Sequence, residues 1–258
     1  MGSKHKNQTP RDFVGSVQHA LDVLRAFDAD HFQMTLSEVS ERTGLTRAGA
    51  RRYLLTLEHL GYIRKEERLF SLTPKVLDLG FSFLSTVDLS DIAKPYLREI
   101  TQDTGEIAGL AVLDSRDIVY VAKSTVERTL VPTLTIGRRY NALYTSPGRA
   151  IAAFLDEATV AEIFKHSEIV ALTPFSMTSE GAIRAELTQV RRQGYAISDQ
   201  ELEVGVRSIS VPVFNRKRIP VGAISVLTNV ATVSKKRLVE EILPVLARVA
   251  AEIPAQAL

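Results

Sequence analysis

Apolar residues recur at helical intervals over the first sixty residues of the chain and alternate with polar ones directly afterwards. Spacings of three and four residues predict one amphipathic helix between Ser16 and Ala29 and a second from Leu36 to Thr43. Gly44 follows the second helix, and a glycine just past the last periodic residue ends a helix at the least steric cost. Thr46 can cap a third helix, whose apolar set runs from Ala50 to Leu60. Two helices joined by so tight a turn predict a helix-turn-helix, with the first helix over its core.

The alternating segments YIRKEE and RLFSLT come next, and they predict a short hairpin that turns at Glu67 and Arg68. A hairpin placed after three helices predicts a winged helix. Thr73 and Pro74 then start a further helix, with the threonine as its cap and the proline at its first position. This helix is apolar on more than one face, so we expect it to pack on a second subunit. Packing on the C-terminal part of its own chain is the alternative.

The part of the chain after residue 88 has a different order of elements. A helix capped between Asp88 and Asp91 runs to Gly105, two strand-like runs surround a turn at residues 115–117, and TLVPTLTIG predicts a third strand. Helices are predicted from Thr145, over 158–166 and over 179–193, before the strands YAIS, RSISVPVF and VGAISVLT and a last helix over 234–253. This order predicts an α+β domain with a mainly antiparallel sheet. The sequence contains no glycine-rich phosphate loop.

Composition fits two domains and narrows the class of protein. The chain has 258 residues, of which 45% are hydrophobic and 24% charged, and it has no cysteine. Disulfides and thiolate metal sites are therefore excluded, and His166 has no companion at ligand spacing, so we expect no metal and no cofactor. No apolar run reaches membrane-spanning length and no signal peptide is seen, so we expect a cytoplasmic protein, associated with the nucleoid if it binds DNA. The formal net charge is +2, and all of this excess lies in residues 1–87.

The outward face of the third predicted helix carries the chemistry of a DNA-binding surface. Arg47 and Arg51 lie one turn apart and Arg52 flanks them, while Ala48 and Gly49 are too small to hold the backbone away from a groove. Gly49 costs roughly 1 kcal/mol of helix stability relative to alanine, and close approach to DNA is a reason to keep it. A solvated basic helix face is the alternative interpretation.

The predicted wing offers a second, weaker contact. Arg64 and Lys65 can meet the sugar-phosphate backbone, whereas Glu66 and Glu67 would repel it. A solvated turn explains these residues equally well. With Thr46 at the start of the helix, the candidate DNA-binding residues are Thr46, Arg47, Ala48, Gly49, Arg51, Arg52, Arg64 and Lys65.

Two separate stretches resemble one protein family. The segment GLTRAGARRYLLTLEHLGYI is similar to the recognition-helix region of IclR-type transcriptional regulators. Downstream, AIRAELTQVRRQGYAISDQELEVGVRSISVPVFN resembles the signature of their effector domain, and SPGRAIAAFL resembles their ligand-side helix. Departures are mild, because Thr46 stands where proline is common and Ala48 and Gly49 stand where a small hydroxyl pair is usual. The resemblance runs from about Ser16 to the end of the chain.

The resemblance implies an N-terminal winged helix-turn-helix joined by a linker helix to a C-terminal GAF-like effector-binding domain with a mainly antiparallel sheet. We accordingly expect a disordered basic arm at 1–11, the DNA-binding domain at 12–73, the linker helix at 74–87, and an effector-binding and oligomerisation domain at 88–258. It also implies a homodimer or a dimer of dimers that binds double-stranded operator DNA. A small carboxylate effector would modulate this binding.

The effector-binding positions carried over from the family are Ser146, Pro147, Ser198, Asp199, Ser208 and Ser225, and Gly148 joins them as part of the helix start. Ser198 replaces an acidic residue expected there. The residues also support a carboxylate site independently, since a helix start at 146–148 presents backbone donors and a positive dipole end. The serines can equally be small sheet residues, and Asp199 can cap a turn while Arg207 pairs with Glu201 or Glu203.

Other side chains near these positions offer alternative ligand contacts. Tyr140 and Tyr144 can wall an aromatic ligand, although aromatic residues at such positions are more often core. Arg138, Arg139 and Arg149 can grip a carboxylate bidentately.

Three functions remain open at this point. The first is a regulator of the aromatic-acid branch of this family, with protocatechuate, 4-hydroxybenzoate or β-ketoadipate as candidate effectors. The second is an enzyme acting on a small carboxylate, with the N-terminal domain as an interaction module, but no catalytic constellation can be found. The third is a winged helix that binds protein and not DNA, which the low net charge leaves open.

Overall fold

The computed structural model describes residues 12–79, 89–126 and 134–253, with the side chains of 89–91 left aside. The chain divides into two compact units, Met1–Phe83 and Leu84–Leu258. Each unit has its own hydrophobic core. In the described part of the chain, no helix is both long and apolar enough to cross a membrane.

The first unit is a winged helix, as predicted. Its elements are the helices α1 (Gly15–Arg25), α2 (Leu36–Thr43) and α3 (Arg47–His59) and the strands β1 (Met34–Thr35), β2 (Ile63–Glu66) and β3 (Leu69–Leu72). The strands form an antiparallel sheet in the order β1-β3-β2. The wing turns at Glu67, whose φ of +52° lies in the left-handed region. The short strand β1 was not predicted.

The helix-turn-helix is built from local signals. Thr35 caps α2 in a capping box with Glu38, and Gly44 ends the helix with φ of +68°. Thr46 then accepts a hydrogen bond from the backbone N–H of Gly49 at 3.1 Å and starts α3. The buried residues between the helices and the sheet are Val23, Ala26, Phe27, Met34, Val39, Ala50, Leu54, Leu57, Ile63 and Phe70.

The predicted apolar faces of α1 and α3 are partly wrong. Helix α1 ends at Arg25 and not at Ala29, and two of its periodic apolar residues, Val17 and Leu21, are 57% and 43% exposed. Leu60 at the end of α3 is also exposed. Because a helix presents more apolar positions than one neighbour can cover, periodicity alone does not say which of them are buried. Of the predicted linker helix, the structure describes a helical turn at 76–79, and the rest lies outside the described residues.

The second unit is an α+β domain with an antiparallel sheet, as predicted. Its helices are α4 (Leu89–Thr104), α5 (Ser146–Ala152), α6 (Glu157–His166), α7 (Glu180–Gln193), α8 (Lys235–Arg237) and α9 (Leu243–Glu252). Its strands are β4 (Ile107–Asp114), β5 (Asp117–Ser124), β6 (Arg139–Asn141), β7 (Ala196–Asp199), β8 (Val206–Phe214) and β9 (Pro220–Asn229). The strand order is β6-β5-β4-β9-β8-β7.

Two predictions for this unit need correction. The third strand was predicted over 129–137, but residues 134–137 are not a strand, and β6 pairs with β5 only after the chain turns at Gly137 with φ of +81°. The last helix was predicted as one continuous element, but a π-helical turn at Leu238–Ile242 separates α8 from α9. Pro244 at the start of α9 has no N–H to continue the regular ladder. The predicted caps at Asp88 and the strand residues 129–133 lie outside the described residues.

The sheet separates two cores, and its second face carries the cavity. Helices α4 and α9 cover one face, and α5, α6 and α7 cover the other. Beneath α5 the cross-strand register aligns the small residues Ala196, Ser210, Ser225 and Gly109 in one row. A Cβ atom on Gly109 would lie 2.5 Å from Leu134 Cδ1, so a larger residue there would displace the Leu134 side chain. This row of small side chains lets α5 and larger residues beside it approach the sheet.

Candidate DNA-binding surface and effector cavity

Helix α3 presents three exposed arginines on its outward face: Arg47, Arg51 and Arg52. None of the three forms an ion pair with another described residue. Arg42 on α2 is different, because its guanidinium donates to Asp28 at 2.7 Å and to the Ala26 carbonyl at 3.0 Å. The cationic face of α3 is therefore free to contact an anionic partner, while Arg42 fastens α2 to the end of α1.

The small residues at the start of α3 have a structural role as well. A Cβ atom added to Gly49 would lie 3.2 Å from the Thr46 hydroxyl that caps the helix, which is a tight contact. Glycine at this position therefore protects the cap, independently of any approach to DNA. Ala48 lies exposed beside it.

The wing cations are more constrained than those of α3. Arg64 donates to the Ser71 hydroxyl at 3.2 Å and pairs with Glu66 at 3.4 Å. Lys65 lies 5.9 Å from the centre of the Phe70 ring. Both side chains are exposed, but each already has a neighbour that competes for it.

The second unit contains a cavity of about 470 Å³ on the sheet face that carries α5. This volume is in the range of small-molecule sites. Its wall combines three tyrosines with apolar, hydroxyl and charged side chains. The lining residues are Tyr120, Leu134, Arg138, Tyr140, Tyr144, Thr145, Pro147, Ser198, Leu202, Glu203, Val206, Ser208 and Leu227.

Three of the predicted effector-binding residues line this cavity: Pro147, Ser198 and Ser208. Ser146 lies directly behind the wall, where its hydroxyl is 2.7 Å from the hydroxyls of both Ser208 and Ser210. The remaining predicted residues, Gly148, Asp199 and Ser225, do not form part of the wall.

Gly148 serves packing and not the cavity. A Cβ atom on it would lie 2.1 Å from the backbone oxygen of Ala142, so no other residue fits. Its N–H donates to the hydroxyl of Thr145 at 3.2 Å, and Pro147 has no N–H. The start of α5 therefore has fewer free donors than the predicted carboxylate seat requires.

Asp199 is held in an ion-pair network on the sheet. It accepts from Arg207 at 2.7 Å and lies 2.8 Å from Lys235 Nζ. Burial alone would raise the pKa of Asp199, but the hydrogen bonds from these two cations outweigh it and hold the pKa below its ordinary value. The carboxylate joins β7, β8 and α8, so Arg207 pairs with Asp199 and not with Glu201 or Glu203.

Ser225 acts on the cavity through Tyr120. Its buried hydroxyl donates to the Tyr120 hydroxyl at 3.2 Å. Burial raises the pKa of Tyr120, and the bond from Ser225 opposes this only in part, so the phenol stays neutral across the physiological range. Tyr120 therefore presents a neutral hydroxyl near the cavity.

Tyr144 connects the wall to a neighbouring loop. Its hydroxyl donates to the carbonyl of Glu168 at 3.2 Å and accepts from the N–H of Val170 at 2.5 Å. On the other side, Ser198 donates to the Tyr144 carbonyl at 3.1 Å. The Tyr144 side chain thus connects the cavity wall to residues 168–170.

Of the three arginines considered as carboxylate partners, only Arg138 faces the cavity. Arg139 pairs with Asp114 at 2.7 Å, and Arg149 is fully buried in a pair with Glu201. Arg138 is exposed and lies 5.1 Å from the centre of the Tyr140 ring.

A carboxylate, Glu203, lies on the same wall as this arginine. Burial raises the pKa of Tyr140; the charge of Arg138 lowers it and that of Glu203 raises it further. The cavity therefore offers a cation, an anionic acceptor and aromatic rings.

Sequence reasoning missed Tyr120, Ser210 and the position of Glu203 in the cavity wall. Two signals were available. Ser208 and Ser210 are two residues apart in an apolar run, which places both hydroxyls on one face of β8. Tyr120 is likewise two residues from the apolar Ile118 in β5, so the two side chains share a face of that strand. Within the described residues, no cluster of potential ligands for a metal ion is found.

An exposed basic helix in a winged helix, joined in one chain to a domain with a small-molecule cavity, defines a ligand-responsive DNA-binding regulator. Residues 16–67 match the IclR helix-turn-helix domain, and residues 81–255 match the C-terminal domain of the bacterial transcriptional regulator IclR. The chain belongs to the IclR family of transcriptional regulators.

The relatives of this chain include regulators of aromatic-acid catabolism, the branch of the family that the sequence suggested. The chain is 38% identical to the Pca regulon regulatory protein of Pseudomonas putida over 91% of this chain and 81% of the relative. It is 32% identical to the p-hydroxybenzoate hydroxylase transcriptional activator of Acinetobacter baylyi, over 94% and 91% of the two chains. These relatives are regulators of transcription and not enzymes, so the enzymatic alternative is wrong.

Solved structures agree with this fold. The IclR transcriptional regulator of Alicyclobacillus acidocaldarius superimposes with a TM-score of 0.80 at 28% identity, covering 95% of this chain and 99% of that one. A double mutant of the PobR inducer-binding domain from Acinetobacter, solved with 3-hydroxybenzoic acid, matches with a TM-score of 0.60 at 28% identity. That match covers 64% of this chain and 96% of the solved domain.

Proposed function

We propose that this regulator binds a two-fold-symmetric operator through the α3 helices of a homodimer, or of a dimer of dimers. We further propose that a hydroxylated aromatic carboxylate in the cavity modulates this binding. One observation carries the effector proposal: Arg138 lies over the Tyr140 ring in a wall that also holds two further tyrosines and Glu203. A protein that acts on operator DNA is located at the nucleoid, and this location is part of the proposal.

The DNA part of the proposal rests on the free cations of α3. Affinity for phosphate scales with the number of charges neutralised, and a chain of net charge +2 supplies few. Two copies related by a two-fold axis double the contacts and read two half-sites. Arg51 in the middle of the free face is the candidate base contact. Arg51→Ala should weaken specific binding by roughly 1–3 kcal/mol and relax preference at one position of each half-site.

The ligand part rests on complementary chemistry across the cavity. The planar guanidinium of Arg138 can grip a carboxylate bidentately while it stays stacked on Tyr140. Glu203 can accept a hydrogen bond from a ligand hydroxyl group, and the tyrosines can pack against an aromatic ring. A ligand with a ring, a carboxylate and a hydroxyl group satisfies all three. The names of the relatives, which refer to p-hydroxybenzoate metabolism and to bound 3-hydroxybenzoic acid, support the same class.

Isothermal titration calorimetry of the full-length protein tests the effector class. The ligands are 4-hydroxybenzoate, protocatechuate, benzoate and the non-aromatic β-ketoadipate. We expect the two hydroxylated aromatic acids to bind more tightly than benzoate and β-ketoadipate. Arg138→Gln should weaken their binding about tenfold or more, while the matched surface change Arg98→Gln should leave it unchanged. Tightest binding by β-ketoadipate, or full affinity in Arg138→Gln, would contradict the proposal.

Selection of genomic DNA fragments by the purified protein at near-physiological salt tests the operator part. We expect enrichment of short, two-fold-symmetric intergenic sites, which Arg51→Ala fails to retain and Arg98→Ala retains. Uniform retention that vanishes as salt rises would mean that α3 only attracts phosphate, and would contradict the proposal. Repeating the selection with 4-hydroxybenzoate tests modulation, because an effector acts only through its different affinity for the two states.

A further inference from the structure

A second and larger concavity, of about 800 Å³, lies in the effector-binding unit outside the ligand cavity. It opens where strand β8 extends beyond the end of β7, its neighbour in the sheet. Strand β7 pairs with residues 207–210 of β8, so residues 211–214 have no strand on that side among the described parts of the chain. The end of α7 flanks this free edge on one side, and α9 flanks it on the other. We call it the arginine groove, after Arg191, Arg192, Arg216 and Arg218 in its wall.

The floor of the arginine groove is apolar. Phe154 and Phe214 meet edge to face there, with their ring centres 5.0 Å apart. The opposite side is a strip of small side chains on α9: Ala247, Ala250 and Ala251. A floor of this kind can receive a bulky apolar side chain from another molecule.

The wall of the arginine groove carries positive charge without a counter-charge. None of its four arginines forms an ion pair with a described residue, and no acidic residue is found among the described residues that line the groove. Six other arginines of this unit, in contrast, pair with carboxylates, although Arg98 and Arg138 form no ion pair with a described residue: Arg139, Arg149, Arg184, Arg207, Arg237 and Arg248. Four like charges on one wall repel one another, so an anionic occupant would be stabilised there.

One of the cations, Arg191, and the backbone turn that carries two others are held in place by hydrogen bonds within the unit. Arg191 donates to the backbone carbonyls of Ala153 and Leu155. The turn that carries Arg216 and Arg218 is tied by the side chain of Asn215, which accepts from two backbone N–H groups at 3.0 Å. Preorganised charges lose less conformational entropy on binding.

We propose that the arginine groove binds an acidic segment of a partner protein that inserts a bulky apolar side chain between Phe214 and α9. A second copy of the chain fits less well, because a groove on a two-fold axis would face its own cationic wall. Nucleic acid fits less well, because phosphates need no apolar floor. Addition of a strand to the free edge of β8 is hindered by Pro212, which has no N–H to donate.

The test is selection of a displayed library of random twelve-residue peptides on the immobilised full-length protein. The enrichment of each peptide is compared with its enrichment in the same selection on the double variant Arg216→Glu/Arg218→Glu. We expect enriched peptides to be rich in Asp and Glu and to carry one aromatic or large aliphatic residue. A synthetic peptide of the enriched sequence should bind the double variant about tenfold more weakly or worse. It should bind Arg98→Glu, a single charge reversal on the exposed face of α4, as tightly as the unchanged protein.

Three results would overturn the proposal. The first is enrichment that is the same on the double variant, or that lacks acidic residues. The second is displacement of the peptide by a 20-base-pair duplex without operator sequence, which would assign the groove to phosphate. The third is self-association of the unchanged protein that is lost in the double variant, which would assign it to a second copy. Operator binding and 4-hydroxybenzoate binding by the double variant serve as folding controls, because neither of its substituted residues lies in those two sites.

Discussion

A buried ion pair behind the ligand cavity gives a sharp test of what holds the effector-binding unit together. Arg149 on α5 has a fully buried guanidinium, and Glu201 on the loop after β7 is almost as deeply buried. The pair is bidentate, with 2.7 Å from Nη1 to Oε1 and 2.5 Å from Nη2 to Oε2. The Nε–H donates to the Leu143 carbonyl at 2.7 Å. Changing Glu201→Gln would leave this guanidinium in the interior without its counter-charge.

The expected loss is large because the charge has no access to water. Removing one partner of a buried pair costs about 3–5 kcal/mol, and glutamine keeps the side-chain volume, so we expect a loss of unfolding free energy of about 3–4 kcal/mol. For a unit of this size, the midpoint of thermal unfolding should fall by roughly 6–16 °C. The double variant Arg149→Met/Glu201→Leu removes both charges and should recover most of the loss, because no unpaired charge remains buried.

Urea unfolding of the full-length protein measures this loss. Far-UV circular dichroism and tyrosine fluorescence are suitable probes, since the sequence has 7 tyrosines and no tryptophan. The winged-helix unit unfolds as an internal reference and should not shift. Glu180→Gln, which breaks an exposed pair with Arg184, is the matched control and should cost only about 0.3–0.5 kcal/mol. A loss below about 1 kcal/mol for Glu201→Gln, or a double variant less stable than the single one, would refute the reasoning.

The other predictions concern packing, pH and the cavity wall. Gly148→Ala should lower the unfolding free energy by about 1–3 kcal/mol or more in the same urea assay, because its Cβ would overlap backbone; Gly181→Ala, with open space around its Cβ, should not, and equal effects would contradict this. The lowered pKa of Asp199 stabilises the fold above its ordinary value of 3.8, and this contribution is lost as pH falls through the folded-state pKa. Urea midpoints between pH 2.5 and 7 should therefore fall less steeply at the acid end for Asp199→Asn, and parallel curves would count against the assignment. Tyr144→Phe should cost about 0.5–1.5 kcal/mol of unfolding free energy, because the hydrogen bonds of its hydroxyl group to residues 168 and 170 are lost. An unchanged midpoint would show that water replaces the hydroxyl.

The elements that could be predicted from the sequence are those whose signals are local. Gly44 and Gly194 both adopt positive φ just after a helix, and Thr46 and Ser179 both cap the helix that follows them. Each of these decisions involves residues within four positions of one another. The strands β1 and β6 could not be found this way. A segment of two or three residues shows no periodicity. Both segments are strands only because they pair with the edge of a strand that is distant in sequence.

The cavity shows the same division more clearly. Sequence reasoning identified Ser198 and Ser208, which are cross-strand partners in the cavity wall, but it also selected Asp199, whose charge is neutralised by Arg207 and Lys235. A charged residue beside a ligand-type loop looks the same in sequence whether its partner is a ligand or another side chain. Only the strand register and the position of α8 decide between the two. Arg149, a candidate carboxylate partner, was misjudged for the same reason.

The wall of the cavity has a fixed part and an exposed part, and this division bears on how an effector can act. Ser208 is held by the buried hydroxyl of Ser146, and Tyr120 is held by the buried hydroxyl of Ser225, so both groups are fixed by hydrogen bonds to buried residues. Arg138 and Glu203 are exposed and lie on segments outside regular structure. An effector shifts an equilibrium only by binding one state more tightly than the other. Such a difference has to come from groups that can change position. We therefore expect Arg138 and Glu203, and not the serines, to discriminate between the two states.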